Sequence, residues 1–267
     1  MLRRGQGDPL VLLHGVTGGE GMWEDVLPLL APHHDAVALT ALGHRGGPPV
    51  TERPALMRHI VDDAEHGLDE LGFETAHLVG NSMGGWTALE LARRGRARSV
   101  CAFSPSGTWK AGSGSGGSAR QGLRDVARDA RRARPLLPLL LLARPMRRFA
   151  MRKNAVHGER LSREQILART DDLLGCQVLD DILDTTEHLE PLDPPPCPIT
   201  LAWGEQDRVL PLQSNGVCAR ELVPRARFLT FADVGHVPMF DDPQLVARTI
   251  LETSLNAPDL GARPSAG

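Results

Sequence analysis

The sequence predicts an α/β fold, a mostly parallel central sheet with helices on both faces, interrupted by one helical insertion. Three observations carry that prediction. Continuous apolar runs bounded by turn residues alternate with amphipathic helical stretches, as buried parallel strands and their crossovers require. The stretch Gly80-Asn81-Ser82-Met83-Gly84-Gly85 stands where one such run gives way to a helical pattern. Between about Pro105 and Pro196 the alternation stops.

The strand runs are Leu10 to Leu13, Ala36 to Leu39, Ala76 to Val79, Ser99 to Phe103, Ile199 to Trp203 and Arg227 to Phe231. Each is a short apolar run bounded by turn residues, which suits a strand covered on both faces. The helical stretches are Trp23 to Leu30, Leu56 to Leu71, Trp86 to Arg94, Ser214 to Leu222 and Pro243 to Leu255, each with apolar residues at three- and four-residue spacing. Right-handed crossovers then place helices on both sides of the sheet. Residues 1–104 and 197–267 form the expected core, and residues 105–196 a helical cap, or lid, over the carboxyl edge of the sheet.

Within that insertion, residues 120–163 are dense in arginine and residues 164–193 dense in acid. Pairing of opposite charges on successive helices is the first expectation. An open basic surface facing anionic substrates or a membrane is the second. The segment Gly112 to Ser118 contains Gly112-x-Gly114-x-x-Gly117, but no strand precedes it and no acid closes a second strand about 20 residues on, so it reads as a linker and not a dinucleotide fingerprint.

A chain of 267 residues can bury a substantial core without disulfides or metals. Its formal charge of −3 gives no overall basic field, which argues against nucleic acid as a partner. Cys101, Cys176, Cys197 and Cys218 are widely spaced and form no Cys-x-x-Cys pair, so they read as buried thiols of a reducing compartment. Met1-Leu2-Arg3-Arg4-Gly5 leads into a strand-like run without the apolar stretch of a signal peptide, and the expectation is a cytoplasmic protein. The longest apolar run, Leu136 to Ala143, is far shorter than the roughly 20 residues that span a bilayer, so stable membrane insertion is not expected.

A serine between glycines at a strand-to-helix turn projects its hydroxyl from the carboxyl end of a sheet, the arrangement called a nucleophile elbow. A hydroxyl becomes a nucleophile when an imidazole takes its proton and a carboxylate fixes the tautomer of that imidazole. Asp207 follows the strand Ile199 to Trp203, and His236 follows Arg227 to Phe231, so both fall in loops at the edge where Ser82 lies. Their chain order, Ser then Asp then His, is that of this elbow type. Glu205 and Asp233 are the nearest rival acids, each also plausible as a loop cap. Two backbone N–H groups must meet the oxyanion; they are expected from Met83 and from Val16 in the loop His14-Gly15-Val16-Thr17-Gly18-Gly19. Trp23, Trp86, Trp109, Val237 and Met239 are candidates for an apolar substrate pocket, alongside Met83, and most are equally plausible as core.

His14-Gly15, the elbow, Trp203-Gly204-Glu205-Gln206-Asp207 with Pro211, and Gly235-His236 with Asp242-Pro243 resemble the α/β-hydrolase superfamily, specifically its lid-bearing esterase and carbon–carbon bond hydrolase branch. The likeness covers about residues 8–104 and 197–255. It implies the α/β-hydrolase fold and a serine hydrolase that forms an acyl-enzyme on a small-molecule acyl substrate without a cofactor. Asn81 to Gly85 is especially similar to hydrolases of ring-cleavage products, although Val237 stands where those carry tryptophan. The family normally opens with two antiparallel strands, and about nine residues before Leu10 leave room for less. Thr40-Ala41-Leu42-Gly43-His44-Arg45-Gly46 also lacks the family's aspartate. Serine at position 82 argues against dehalogenase and epoxide-hydrolase chemistry, where the family places aspartate. Ester hydrolysis is the leading expectation. The alternatives are carbon–carbon cleavage of a dienone acid, with Arg144, Arg147 or Arg148 binding its carboxylate, and a weakly catalytic binding or signalling protein on the same fold.

Overall fold

The computed structural model describes residues 1–109 and 117–257. Six of the seven strands in its single sheet are parallel: β2 (Asp8–Leu13), β3 (His34–Leu39), β4 (Ala76–Asn81), β5 (Ala97–Phe103), β6 (Ile199–Gly204) and β7 (Arg227–Phe231). The three-residue β1 (Leu2–Arg4) pairs antiparallel with β3 at one edge, giving the order β1-β3-β2-β4-β5-β6-β7. One short antiparallel strand is thus what the brief amino terminus supplies.

Alternation along the strands divides the core into two layers. Val11 and Leu13 of β2 face a cluster that includes Met57, Ile60 and Leu68 of α2 (Met57–Glu70) and Leu89 of α3 (Met83–Arg93). Leu10 and Leu12 face the other side, where Leu27 and Leu30 of α1 (Leu27–Leu30) and Val246 and Ile250 of α11 (Pro243–Leu255) pack. Helices therefore cover both faces. The helix expected over Trp23 to Leu30 is instead a 3₁₀ turn at Glu20–Trp23 followed by the single turn α1. Trp23, Val26, Leu27 and Leu30 are all buried, so packing accounts for their spacing without a continuous helix. The stretch Ser214 to Leu222 likewise opens as a wide turn, Leu212–Gly216, before α9 (Val217–Leu222).

Between β5 and β6 the described chain forms α4 (Gly117–Ala133), α5 (Leu137–Leu140), α6 (Arg144–Met151), α7 (Arg163–Gly175) and α8 (Leu179–Leu183). Gly112, Gly114 and most of the Gly/Ser linker lie outside the described residues. The insertion approaches the carboxyl edge of the sheet at β2, β4, β6 and β7. Because β3 and β4 lie on opposite sides of β2, the sheet has its switch point there, where open α/β sheets form their crevice.

Candidate active site

Ser82 sits between β4 and α3 with φ 54° and ψ −116°, a conformation that costs a non-glycine residue on the order of 1–3 kcal/mol. Its surroundings enforce it. The Ser82 N–H donates to the Phe103 carbonyl at 3.0 Å, and the Ser82 carbonyl accepts from the N–H groups of Trp86 and Ser106 at 3.1 and 3.0 Å. Gly80 and Gly84 let the chain cross itself: a Cβ on Gly80 would collide with the Gly84 carbonyl, and one on Gly84 with the Leu13 carbonyl.

Asp207 and His236, expected from their places after β6 and β7, meet. His236 Nδ1 and Asp207 Oδ2 are 2.8 Å apart, and both side chains are buried. The carboxylate is an acceptor, so Nδ1 carries a proton, and Nε2 is the ring nitrogen left for the cavity. Asp207 Oδ1 accepts the N–H groups of Val209 and Leu210, both at 2.8 Å, which satisfies its second oxygen. The end of β4, the strand that leads to Ser82, holds the histidine's main chain: Asn81 Nδ2 donates to the His236 carbonyl at 2.9 Å. Ser82 and His236 line one cavity of about 360 Å³ under the inserted helices. Neither the Ser82 hydroxyl nor His236 Nε2 makes a hydrogen bond among the described residues, and neither is sealed from the cavity.

The loop after β2 is held by its carbonyls. His14 Nε2 accepts the Ala41 N–H at 3.0 Å, so Nδ1 bears the proton and donates to the Gly15 carbonyl at 2.8 Å. Burial, reinforced by His44 nearby, pushes His14 down to about 3, so it is neutral. Gly15 O also accepts from Gly18 N–H at 2.9 Å. With that carbonyl fixed, the planar trans peptide aims the Val16 N–H the opposite way. Val16 O in turn accepts from Cys176 Sγ at 3.0 Å and lies 2.7 Å from His44 Nε2. Burial raises the Cys176 thiol to about 11, which keeps that proton in place. Met83 opens α3, where backbone N–H groups have no partner inside the helix.

Of the candidates for the pocket, Val237 lines the cavity. Trp23, Trp86, Trp109 and Met239 do not. Trp23 and Met239 belong to the core on one face of the sheet. Trp86 packs edge-on against Trp109 at 5.8 Å on the other, and the Trp109 indole N–H donates to the Glu187 carbonyl. The Met83 side chain points to a separate cavity behind β2. The wall is supplied mainly by the insertion: Leu137, Leu140, Met146, Phe149 and Ile166. The apolar identity of the pocket was legible, but not which face of each element it would occupy.

Arg144 and Arg148 are exposed and outside the cavity, while Arg147 donates to the Leu161 carbonyl. Arg169 of α7 lines it instead, unanticipated from sequence. It forms an ion pair with buried Asp172 at 3.3 Å, and Asp172 also takes two hydrogen bonds from Arg45. Arg169 Nε and Nη1 lack hydrogen-bond partners. The rival acid Asp233 acts as a clasp: it accepts from Gln206 and meets His157 Nε2 at 2.7 Å.

A family model described as the alpha/beta hydrolase family matches residues 10–249. The chain belongs to the alpha/beta hydrolase family. It is an enzyme of that family by sequence as well as by fold. It is 33% identical over 208 residues to epoxide hydrolase EphH of Mycobacterium tuberculosis, a match covering 72% of this chain and 91% of that protein. A thermophilic esterase from Thermogutta terrifontis superposes with a TM-score of 0.68 at 23% identity, covering 94% of this chain and 90% of that one. The 2-hydroxy-6-oxo-6-phenylhexa-2,4-dienoate hydrolase of a Rhodococcus strain gives 0.69 at 19% identity, covering 94% and 96%. Such distant likenesses establish the fold. Among the described residues, no helix is long and apolar enough to cross a membrane.

Proposed function

We propose that this hydrolase cleaves a carboxylic ester or related acyl compound through an acyl-enzyme on Ser82. The observation that carries the reading is an elbow serine sharing a cavity with His236, which is hydrogen-bonded to buried Asp207. His236 Nε2 takes the Ser82 proton as Oγ attacks the acyl carbon, and the imidazolium is stabilised by Asp207. Charge on the former carbonyl oxygen meets the N–H groups of Val16 and Met83. The proton then passes to the leaving oxygen as its bond to carbon breaks. Water, deprotonated by His236, releases the acid and restores Ser82.

The similarity to a protein named an epoxide hydrolase points to another electrophile. Serine attack on an epoxide carbon would leave an ether, which water does not cleave under these conditions, whereas an acyl ester is hydrolysed. Serine chemistry therefore favours acyl substrates. Arg169, a cation lining the cavity, supports a second reading: carbon–carbon cleavage of a ring-cleavage-type dienone acid whose carboxylate pairs with it.

The test combines a fluorophosphonate probe with three substrate classes. Labelling that disappears in Ser82→Ala, with turnover of p-nitrophenyl esters, supports the first reading. Activity confined to the dienone acid replaces it with the second. Turnover of styrene oxide that survives Ser82→Ala, or absence of labelling, overturns both. A weakly catalytic binding protein would neither label nor turn over.

A further inference from the structure

Two sets of arginines in the insertion differ in what they meet. Arg124 pairs with Asp180 and Asp184, and Arg134 with Asp171, so α4 is fastened to α7 and α8. Arg131, Arg132, Arg144 and Arg152 are exposed, and none of them makes an ion pair with a carboxylate among the described residues. These four lie on the segments that flank a run of leucines.

Residues 136–142 read Leu-Leu-Pro-Leu-Leu-Leu-Leu and wind through α5. Leu137 and Leu141 turn inward and are buried. Leu136, Leu139 and Leu142, three residues apart and so on one side, are 62%, 68% and 63% exposed, and Phe149 on α6 is 57% exposed. A helical turn that is apolar all round matches an apolar environment on its outer side too. The patch is continuous with the site. Leu140 and Phe149 are exposed and also line the cavity that Ser82 and His236 share.

We propose that the leucine turn 136–142 and Phe149, rimmed by Arg131, Arg132, Arg144 and Arg152, dock the protein peripherally on an anionic lipid surface, with the mouth of the cavity opening against it. Leucines enter the acyl boundary while guanidinium groups stay among anionic headgroups, the division of labour of an interfacial helix. The Arg152 guanidinium lies 3.8 Å over the Phe149 ring, so the cation can ride with the aromatic to the interface. A second copy of the chain is a poorer occupant, because a two-fold contact would set one arginine rim against the other. The docking is independent of the reaction. Only its corollary, that the acyl substrate enters from lipid, rests on the function proposed above.

Co-sedimentation of the full chain with phosphatidylcholine vesicles, with and without about 30% phosphatidylglycerol, tests the proposal. Binding is expected on the anionic vesicles and should weaken sharply at about 0.5 M salt. Arg131→Gln with Arg132→Gln should lower partitioning by about 25-fold, at about fivefold per arginine. Leu139→Asp with Leu142→Asp should abolish it with an unchanged melting temperature, since neither side chain lines the cavity. Ser82→Ala should bind as the wild type does, which separates the docking from the chemistry. The proposal falls if the wild type prefers neither vesicle, or if the leucine variant binds equally well. It also falls if sedimentation shows a dimer that Leu139→Asp dissociates, because the patch would then be covered by a second copy.

Discussion

Asp241 accepts a 2.8 Å hydrogen bond from the backbone N–H of Gly235, the residue before His236. The same buried carboxylate accepts from the N–H groups of Val156 and His157 in the insertion, at 2.9 and 2.7 Å. Beside it, the Val237 N–H donates to the Asn154 carbonyl at 2.8 Å. One carboxylate thus clasps the histidine loop to the inserted segment. Asp241→Ala should leave the buried Gly235 N–H without an acceptor, at about 1–3 kcal/mol, and release two half-buried N–H groups to water at smaller cost. The expected result is a melting temperature lowered by several degrees and a kcat reduced about 10- to 100-fold on the preferred ester. Asp241→Asn keeps one acceptor oxygen and should fall between. Steady-state kinetics beside thermal melts check both.

The crossing at the elbow leaves no room for a methyl group. Gly84→Ala would drive Cβ into the backbone of Leu13, which has no rotamer with which to yield. Destabilisation of about 3 kcal/mol or more is expected. Gly72→Ala, where no atom lies near the added Cβ, pays only for its positive φ of 73°. Urea unfolding of the two variants should separate them clearly, with Gly84→Ala the less stable.

Asp172 is buried between two arginines, Arg45 and Arg169. Removing its charge in Asp172→Asn leaves the mostly buried Arg169 guanidinium uncompensated. A loss of about 3 kcal/mol is expected, little relieved by salt. Restoring neutrality with Asp172→Asn/Arg169→Met should recover part of it. A double-mutant cycle in urea measures the coupling.

Stability should also fall between pH 6.5 and about 4. Burial pushes His77 down to about 4, with His34 adding repulsion, and His14 down to about 3. Both are therefore neutral in the folded protein but protonated in the unfolded chain below about pH 6.5. The unfolded state binds the extra protons, so each histidine lowers stability by about 1.4 kcal/mol per pH unit across that window and contributes nothing above it. His77→Gln should flatten the pH dependence by about one such increment. Urea midpoints at pH 7, 6 and 5 measure the slope.

Much of this was legible in the residues. The apolar runs marked all six parallel strands because a strand buried on both faces, as β3 to β6 largely are, has little choice of composition, although the edge strand β7 is only partly covered. Helix α11 matches its expected bounds because Pro243 opens it and Asp242 caps the Leu245 N–H at 2.8 Å, both local signals. Ser82, Asp207 and His236 were legible because each directly follows a strand, and strand ends fix position. The tryptophans misled because aromatic identity does not tell which side of α3 faces the crevice. Asp241 was invisible for a different reason. Its partners are backbone amides of Gly235, Val156 and His157, which leave no trace in side-chain identity.

Swapping inserted helices between relatives is an obvious way to retarget such an enzyme, and the stretch from Arg152 to His157 sets the cutting points. The Arg152 carbonyl receives Arg208, and Asn154 holds Val237. These few residues belong mechanically to the parent body although they are encoded within the exchanged piece. A graft that keeps the recipient's 152–157 would carry foreign specificity on an undisturbed proton-transfer loop, whereas one that replaces them must be redesigned on both sides of the seam.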